Sequence, residues 1–418
     1  MQEICLPPNH DTTAASLRNI GTIYYAKGDY DEALDYSLKS LRMQEICLPP
    51  NHDSTAACLI NIANIYYTKG DYNQALEYSL KSLRMQEICL PPNHDTTAAS
   101  LRNIGTIYYA KGDYDEALQY CLKALRMHEI CLPPNHHTTA ASLMTTGNIY
   151  YSTGDYDQAL QYCLKALRIK AICLPPNHDS TAASLINIGN IYHKKGDYDQ
   201  ALEYSLKSLR MQEICLPPNH DNTAASLMNI GNIYYSKGDY DQPLEYYLKG
   251  LKMREISLPP NHDRTAASLM NIGNIYHKKG DYHQALHYSL KLLRMHEICL
   301  PPNHDSTAAC LINIGNIYYT KRDYNQALEY SLKALKMREI SLPSNHDSTA
   351  ASLRNIANIY RAKGDYDQAL EYSLKSLRMH EICLPANHDA RAESLMNIGN
   401  IYQAAGGNEQ ALIYYLKA

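Results

Sequence analysis

Cysteine and histidine are the residues of this chain with the most versatile chemistry, and both recur at one fixed spacing. Cys5, Cys47, Cys89, Cys131, Cys173, Cys215, Cys299 and Cys383 stand multiples of 42 residues apart, with Ser257 and Ser341 in the same slot twice more. Cys58, Cys121, Cys163 and Cys310 stand where most other copies carry serine. Equivalent positions of neighbouring helical units lie roughly 10 Å apart, beyond the about 7 Å between Cα atoms that a disulfide spans. The spacing predicts free, mostly buried thiols, which suit a reducing compartment, so a cytoplasmic location is expected. The loop histidines His10, His52, His94 and their equivalents recur once per copy, too far apart to share a metal ion. His283 and His287 have the i, i+4 spacing that can chelate, but no third ligand accompanies them. No Cys–His pair comes with an orienting carboxylate. We therefore expect no catalytic site, no metal and no cofactor: the chain does not read as an enzyme.

Asparagine supplies the other recurrent chemistry. One row is Asn19, Asn61, Asn103, Asn187, Asn229, Asn271, Asn313, Asn355 and Asn397. A second, three residues on, is Asn64, Asn148, Asn190, Asn232, Asn274, Asn316, Asn358 and Asn400. Three residues apart on a helix means one face, and an amide offers both donor and acceptor to a peptide backbone. The rows predict a ladder that binds an extended peptide, with Tyr67, Tyr109, Tyr151, Tyr235 and Tyr319 beside it. The competing reading is that these amides bond neighbouring helices and only fix geometry. Residues 1–42 and 85–126 differ at only three positions, so recent copying would carry any residue along. Lys194, Lys195, Lys278 and Lys279 make the middle of the face basic, which fits an acidic or phosphorylated partner segment or simply a solvated surface.

The elements that position these rows come from a segment of 42 residues repeated ten times without insertion or deletion. A period of that length is the signature of a solenoid. In one copy, Pro49-Pro50-Asn51-His52 is a turn, and Asp53 or Ser54 is expected to cap helix A, which runs to about Lys69. Leu59, Ile62, Ile65 and Tyr66 form its apolar stripe. Gly70 ends it, and Asp71 with Gln74 reads as a capping box for helix B. Helix B then buries Ala75, Leu76, Tyr78, Leu80, Leu83, Ile88 and Cys89. The loop histidines are expected to pack against the start of helix A.

Leu59, Ile62, Ala63, Tyr66, Tyr72, Ala75 and Leu83 fall where the tetratricopeptide repeat (TPR) places its large and small residues. The unit resembles the kinesin light chain type of TPR in its 42-residue period, long helix B and His-Asp before helix A. The resemblance implies an all-α fold: a right-handed α-solenoid of ten antiparallel helix pairs, one superhelix over residues 1–418 with first and last repeats incomplete. It also implies that the helices A line a concave, partner-binding groove. The sequence departs from the pattern in helix B, where the usual mid-helix aromatic is Ser79 or Cys121 and Tyr78 stands one place earlier.

The formal net charge of −4, with mixed signs, excludes a basic nucleic-acid surface. No apolar run approaches the roughly 18 residues of a membrane span. Three breaks read as drift: Thr145-Thr146 in a core slot, Pro243 in the first turn of a helix B, and Arg322 in place of a turn glycine. The function expected is a non-enzymatic scaffold that binds an extended protein segment. The alternative is a structural protein that assembles head to tail into a filament through uncapped terminal repeats.

Overall fold

A computed structural model describes residues 11–385 and 388–418; Cys5 and His10 lie outside the described residues. Among those residues the chain forms twenty helices and no strand. They come in pairs: α1 (Asp11–Lys27) with α2 (Tyr30–Cys47), α3 (Asp53–Thr68) with α4 (Tyr72–Cys89), and α5 (Asp95–Lys111) with α6 (Tyr114–Cys131). Next come α7 (His137–Thr153) with α8 (Tyr156–Cys173), and α9 (Asp179–Lys195) with α10 (Tyr198–Cys215). These follow: α11 (Asp221–Ser236) with α12 (Gln242–Ser257), and α13 (Asp263–Lys278) with α14 (Tyr282–Cys299). The last pairs are α15 (Asp305–Thr320) with α16 (Tyr324–Ser341), α17 (Asp347–Lys363) with α18 (Tyr366–Cys383), and α19 (Asp389–Ala404) with α20 (Asn408–Lys417). The pairs group into two compact units, Met1–Leu216 and Pro217–Ala418. Within each, hairpins stack one on the next, as ten-fold repetition of an α-solenoid unit requires.

Helix A starts differently from the sequence expectation. The cap is His52, not Asp53 or Ser54: its ring Nδ1 accepts from the Ser54 amide at 3.1 Å. Equivalent histidines do the same through His388 and Ala390. The imidazole does the work of a short polar side chain because Asn51 turns the chain first, at φ 62°, a region asparagine tolerates. At the other end Gly70 takes φ 81° and stops the helix as expected. Asp71 then caps α4 by accepting from the Gln74 amide at 3.1 Å. The reciprocal half of the capping box is not made. In the equivalent turns Gln200 and Gln326 donate forward to Glu203 and Glu329 instead.

The core is built from the expected stripes, joined from hairpin to hairpin: Leu59 and Ile62 pack against Leu41 of the preceding helix B, and Ala75, Leu76 and Leu83 pack against Leu101, Ile104 and Ile107 of the next helix A. Fully burying an isoleucine such as Ile62 contributes about 1.5–3 kcal/mol. The displaced helix B tyrosine has a partner: Tyr78 stacks on Tyr66 with centroids 5.6 Å apart. The vacated slot lies against the helix A glycine. A Cβ at Gly105 would collide with Cys121 Sγ and stand 3.0 Å from the Ala117 carbonyl. Where tyrosine returns to that slot, at Tyr247 and Tyr415, its ring lies against Gly231 and Gly399.

Two burial expectations fail at the end of helix B. Ile88 is 69% exposed and Cys89 is exposed, and the equivalents Ile46, Ile130, Ile172 and Ile214 match them. The last turn of helix B projects past the neighbouring hairpins, so its apolar residues meet solvent. The described cysteines are all free, but only Cys58, Cys121, Cys163 and Cys310 are buried. Of the three breaks, Thr146 is fully buried yet satisfied, donating to the Ser142 carbonyl at 3.0 Å. Pro243 goes with a shorter helix, which starts at Gln242; the Asp241 and Gln242 amides donate to the Asp239 carboxylate just before it. Arg322 does adopt the turn conformation, at φ 62°.

Candidate peptide-binding face

Both asparagine rows lie on helices A. Asn19 is exposed on α1; Asn61, Asn103, Asn187, Asn229, Asn271, Asn313 and Asn355 are half-buried, and Asn397 is buried. The second row is more open, with Asn64, Asn274 and Asn316 exposed and Asn148, Asn190, Asn232, Asn358 and Asn400 half-buried. At the first joint the rows converge: Thr22, Tyr25, Asn61 and Asn64 border a cleft of about 180 Å³ floored by Gly21, Ser37 and Ile65. This pocket holds backbone-compatible amides and an aromatic ring within one lining.

Several of these amides also serve the array itself. Asn187 Nδ2 donates to Asn148 Oδ1 of the preceding hairpin at 3.1 Å. Asn232 and Asn400 accept from the phenols of Tyr247 and Tyr415 at 2.5 and 2.8 Å. Asn397 donates to Ser373 Oγ at 3.1 Å. The structural reading of the asparagines therefore holds at these positions.

The aromatic row is anchored in the same way. Tyr67, Tyr109, Tyr151 and Tyr319 each tilt against the first tyrosine of their own helix B, with centroids 5.8 Å apart, and Tyr235 tilts against Tyr240, just before α12, at 5.6 Å. The Tyr109 hydroxyl reaches Ser152 of the next helix A at 2.9 Å, and Tyr25 reaches Thr68 at 2.9 Å. Burial pushes the Tyr67 and Tyr151 phenols up, so they stay protonated. His193 and His277 replace tyrosine in this row. Burial, and then the neighbouring Lys194 or Lys278, pulls their imidazoles down. They present neutral rings at neutral pH.

The four lysines divide into two kinds. Lys195 pairs with Asp157 at 2.5 Å, and Lys279 pairs with Asp241, each an acid at the start of the preceding helix B. Lys69 pairs with Asp31 likewise. Lys194 and Lys278 stand exposed beside the histidines. His287 packs edge-on against Tyr288 at 5.2 Å. No group of three histidine, cysteine or acidic side chains able to hold a metal gathers among the described residues.

Sequence reasoning missed one position entirely. On helix B, three residues before the exposed cysteine, stand Gln44, Gln86, His128, Lys170, Gln212, Arg254, His296, Arg338 and His380, nearly all buried. His128 Nδ1 meets Ser142 Oγ of the next helix A at 2.9 Å, and His380 meets Ser394 at 2.9 Å. Lys170 donates to Ser184 Oγ at 2.8 Å and to the Ser180 carbonyl at 3.1 Å. Arg254 spans further. It donates to Ser268 Oγ at 2.9 Å, to the Arg264 carbonyl at 2.8 Å, and back to Asp221 at 3.2 Å. These side chains fasten one hairpin to the next. The sequence signal was a single helix position occupied only by glutamine, histidine, lysine and arginine.

A stack of helical hairpins with an amide-rich helix A face defines an α-solenoid scaffold for protein interaction. The tetratricopeptide repeat profile matches residues 12–88, 96–172, 176–256, 264–340 and 348–418, and the chain belongs to that family. A second tetratricopeptide repeat profile matches residues 60–129 and 312–381. No curated protein matches the chain in sequence. Among solved structures, the apo form of RapI is similar with a TM-score of 0.61 at 15% identity, covering 88% of this chain and 98% of that one. A Pyrococcus horikoshii signal-transduction ATPase with a tetratricopeptide repeat sensor, PH0952, is similar at 0.60 and 14% identity, covering 90% and 53%. A Podosopora anserina protein described as a kinesin light chain with nearly identical TPR-like repeats matches at 0.44 and 20% identity, covering 47% and 93%. No described helix is long and apolar enough to cross a membrane.

Proposed function

We propose that the helix A face binds an extended peptide through its asparagine and tyrosine rows, in a non-enzymatic, cytoplasmic scaffold. The observation that carries this reading is the cleft at the first joint, where Asn61, Asn64 and Tyr25 share one lining. Amides recognise backbone and the tyrosines supply stacking surface, while the residues that differ between copies set side-chain preference. Arg18, Ile60, Arg102 and Met144 are the first of these. Of the lysines, Lys194 and Lys278 remain to attract an acidic segment, because Lys195 and Lys279 are tied to their own acids.

A displayed library of random 15-residue peptides tests the proposal. Selected peptides should bind the full chain and lose at least tenfold affinity to Asn61→Ala with Asn64→Ala. Failure to select any peptide, or equal binding by the double variant, would sink the reading.

Head-to-tail assembly keeps one observation in its favour. Leu412 and Leu416 on α20 are 58% and 79% exposed, whereas their equivalents in the second repeat are buried at Leu76 and half-buried at Leu80. A further hairpin, of this chain or a second copy, fits that surface. Light scattering across a concentration series decides it: constant mass removes the filament.

A further inference from the structure

Each long helix B ends in an isoleucine that its own array leaves uncovered. In the first unit these are Ile46, Ile88, Ile130, Ile172 and Ile214, each 68 or 69% exposed. The helix itself needs nothing apolar there, and a lysine in the last turn would suit its dipole better. Yet every such slot from Ile46 to Ile382 holds isoleucine, while the residue two places before it varies among glutamine, histidine, lysine and arginine. In the first unit an exposed cysteine follows each isoleucine, and two exposed prolines come after a half-buried leucine. Rows of exposed apolar residues of this extent mark interaction surfaces.

Hollows lie between the isoleucines. The one between α2 and α4 is about 440 Å³, lined by Leu48, Pro49, Pro50 and Met85, with Glu45 on one helix and Lys81 and Arg84 on the other. The one between α14 and α16, about 600 Å³, has the same make-up. Leu300, Pro301, Pro302 and Met337 line it, Glu297 faces Lys333 and Lys336, and Ile340 forms part of its wall. Leu90, Pro91, Pro92 and Met127 hold the same slots at the next joint of the first unit. Knob and hollow thus share one edge, built from the ends of helices B and the loops after them. None of the asparagines of the two rows lines either hollow.

We propose that this edge pairs with the same edge of a second copy, the isoleucines of one entering the hollows of the other. Spacing favours a copy of this chain: knobs and hollows keep one period, and a partner built on the same repeat meets several of them at once. Charge favours it too. Ile88 stands beside exposed Arg84 and Glu87, and each hollow sets a glutamate against two cations. Lys123 reaches Glu87 at 3.2 Å and Lys333 reaches Glu297 at 3.8 Å across such joints. Both signs are present on both surfaces, so the edge complements itself, whereas an acidic segment or an anionic membrane would meet the glutamates. A stable interface takes about 800 Å² from each partner, or about 160 Å² from each of five repeats. The isoleucine, its cysteine and two prolines are the exposed strip that supplies it. The pairing uses neither the peptide-binding face nor the α20 surface of the head-to-tail reading.

Sedimentation equilibrium of the full chain under reducing conditions tests it. The mass should rise with concentration and level off at twice the monomer. Ile88→Lys, Ile130→Lys and Ile172→Lys together should raise the dissociation constant at least about a hundredfold, because burying one isoleucine is worth about tenfold or more. These side chains are exposed, so circular dichroism of the variant should match the parent. Leucine at the same three positions should keep the dimer. A short bismaleimide should join two copies through Cys89, Cys131 or Cys173 in the parent, and far less in the lysine variant, whose thiols are intact. A chain monomeric at every concentration overturns the proposal and leaves the edge to a different partner. A mass that grows past the dimer, or a lysine variant that dimerises and cross-links as the parent does, overturns it equally.

Discussion

Asn187 donates to Asn148 across the joint between α7 and α9, at 3.1 Å. The ladder of amides is thus partly a set of rungs between hairpins, and peptide binding would share residues with array geometry. Asn148→Ala should lower stability by about 1 kcal/mol or less, because both amides are only half-buried. Amide hydrogen exchange in α7 and α9 measures it; a loss of several kcal/mol would show that the amide is structural above all else.

Gly105 and Cys121 form a size-matched pair. Gly105→Ala should destabilise the α5/α6 hairpin by about 1–3 kcal/mol through overpacking. Adding Cys121→Ser should recover most of the loss, because Ala63 and Ser79 make that same pair in the second repeat, where Ala63 is buried. A double-variant cycle followed by exchange of α5 amides checks this. Additive losses would contradict the packing account.

Acidification should loosen the α6/α7 joint. Burial lowers the His128 pKa from the ordinary 6.5, a larger effect than the opposing pull of Asp95. The folded state then resists protonation that the unfolded chain accepts. The stabilisation is complete above about pH 6.5 and is lost as pH falls through the lower, folded value. His128→Gln, the residue found at Gln86, should flatten that dependence in the exchange of α7 amides. An unchanged pH profile would mean that another group controls the joint.

Thiol reactivity should split by position, not by sequence context. Cys47, Cys89, Cys131, Cys173, Cys215, Cys299 and Cys383 are exposed and should label within minutes. Cys121, Cys163 and Cys310 are buried, and burial pushes their pKa up to about 12, so they should label only on unfolding. Peptide mapping after timed alkylation reads both groups. Rapid modification of Cys163 in the native chain would contradict its burial.

Arg322→Gly should stabilise the α15/α16 turn by about 1 kcal/mol, since arginine holds φ 62° where glycine would not be strained. Denaturant unfolding of the parent and variant gives the sign directly.

The hairpins were legible in the sequence because their causes are local. Proline-bounded turns, Gly70 and Asp71, and the Leu59–Ile62–Ile65 stripe each act within one copy. The failures share another cause. Burial of Ile88 and Cys89 depends on whether a neighbouring hairpin reaches the last turn of helix B, which one copy cannot reveal. The His52 cap needs the Asn51 backbone to turn first. The clamp at Lys170 and Arg254 exists only once the next helix A brings Ser184 and Ser268 to it. Of the candidate face, the rows were legible; that Asn187, Asn232 and Asn400 are already engaged was not.

The helix B clamp has a consequence for how such an array changes length. A serine hydroxyl both gives and takes a hydrogen bond, and the carbonyl one turn before it stands beside it. That socket accepts histidine, lysine and arginine alike, as Ser142, Ser184 and Ser268 demonstrate. Whole hairpins can therefore be deleted, duplicated or exchanged without re-matching the parts that meet. The bond is not made everywhere: the Cys310 thiol turns to the Ser289 carbonyl and leaves Nδ1 of His296 buried without a partner, and Gln86 Oε1 and Ser100 Oγ have none either.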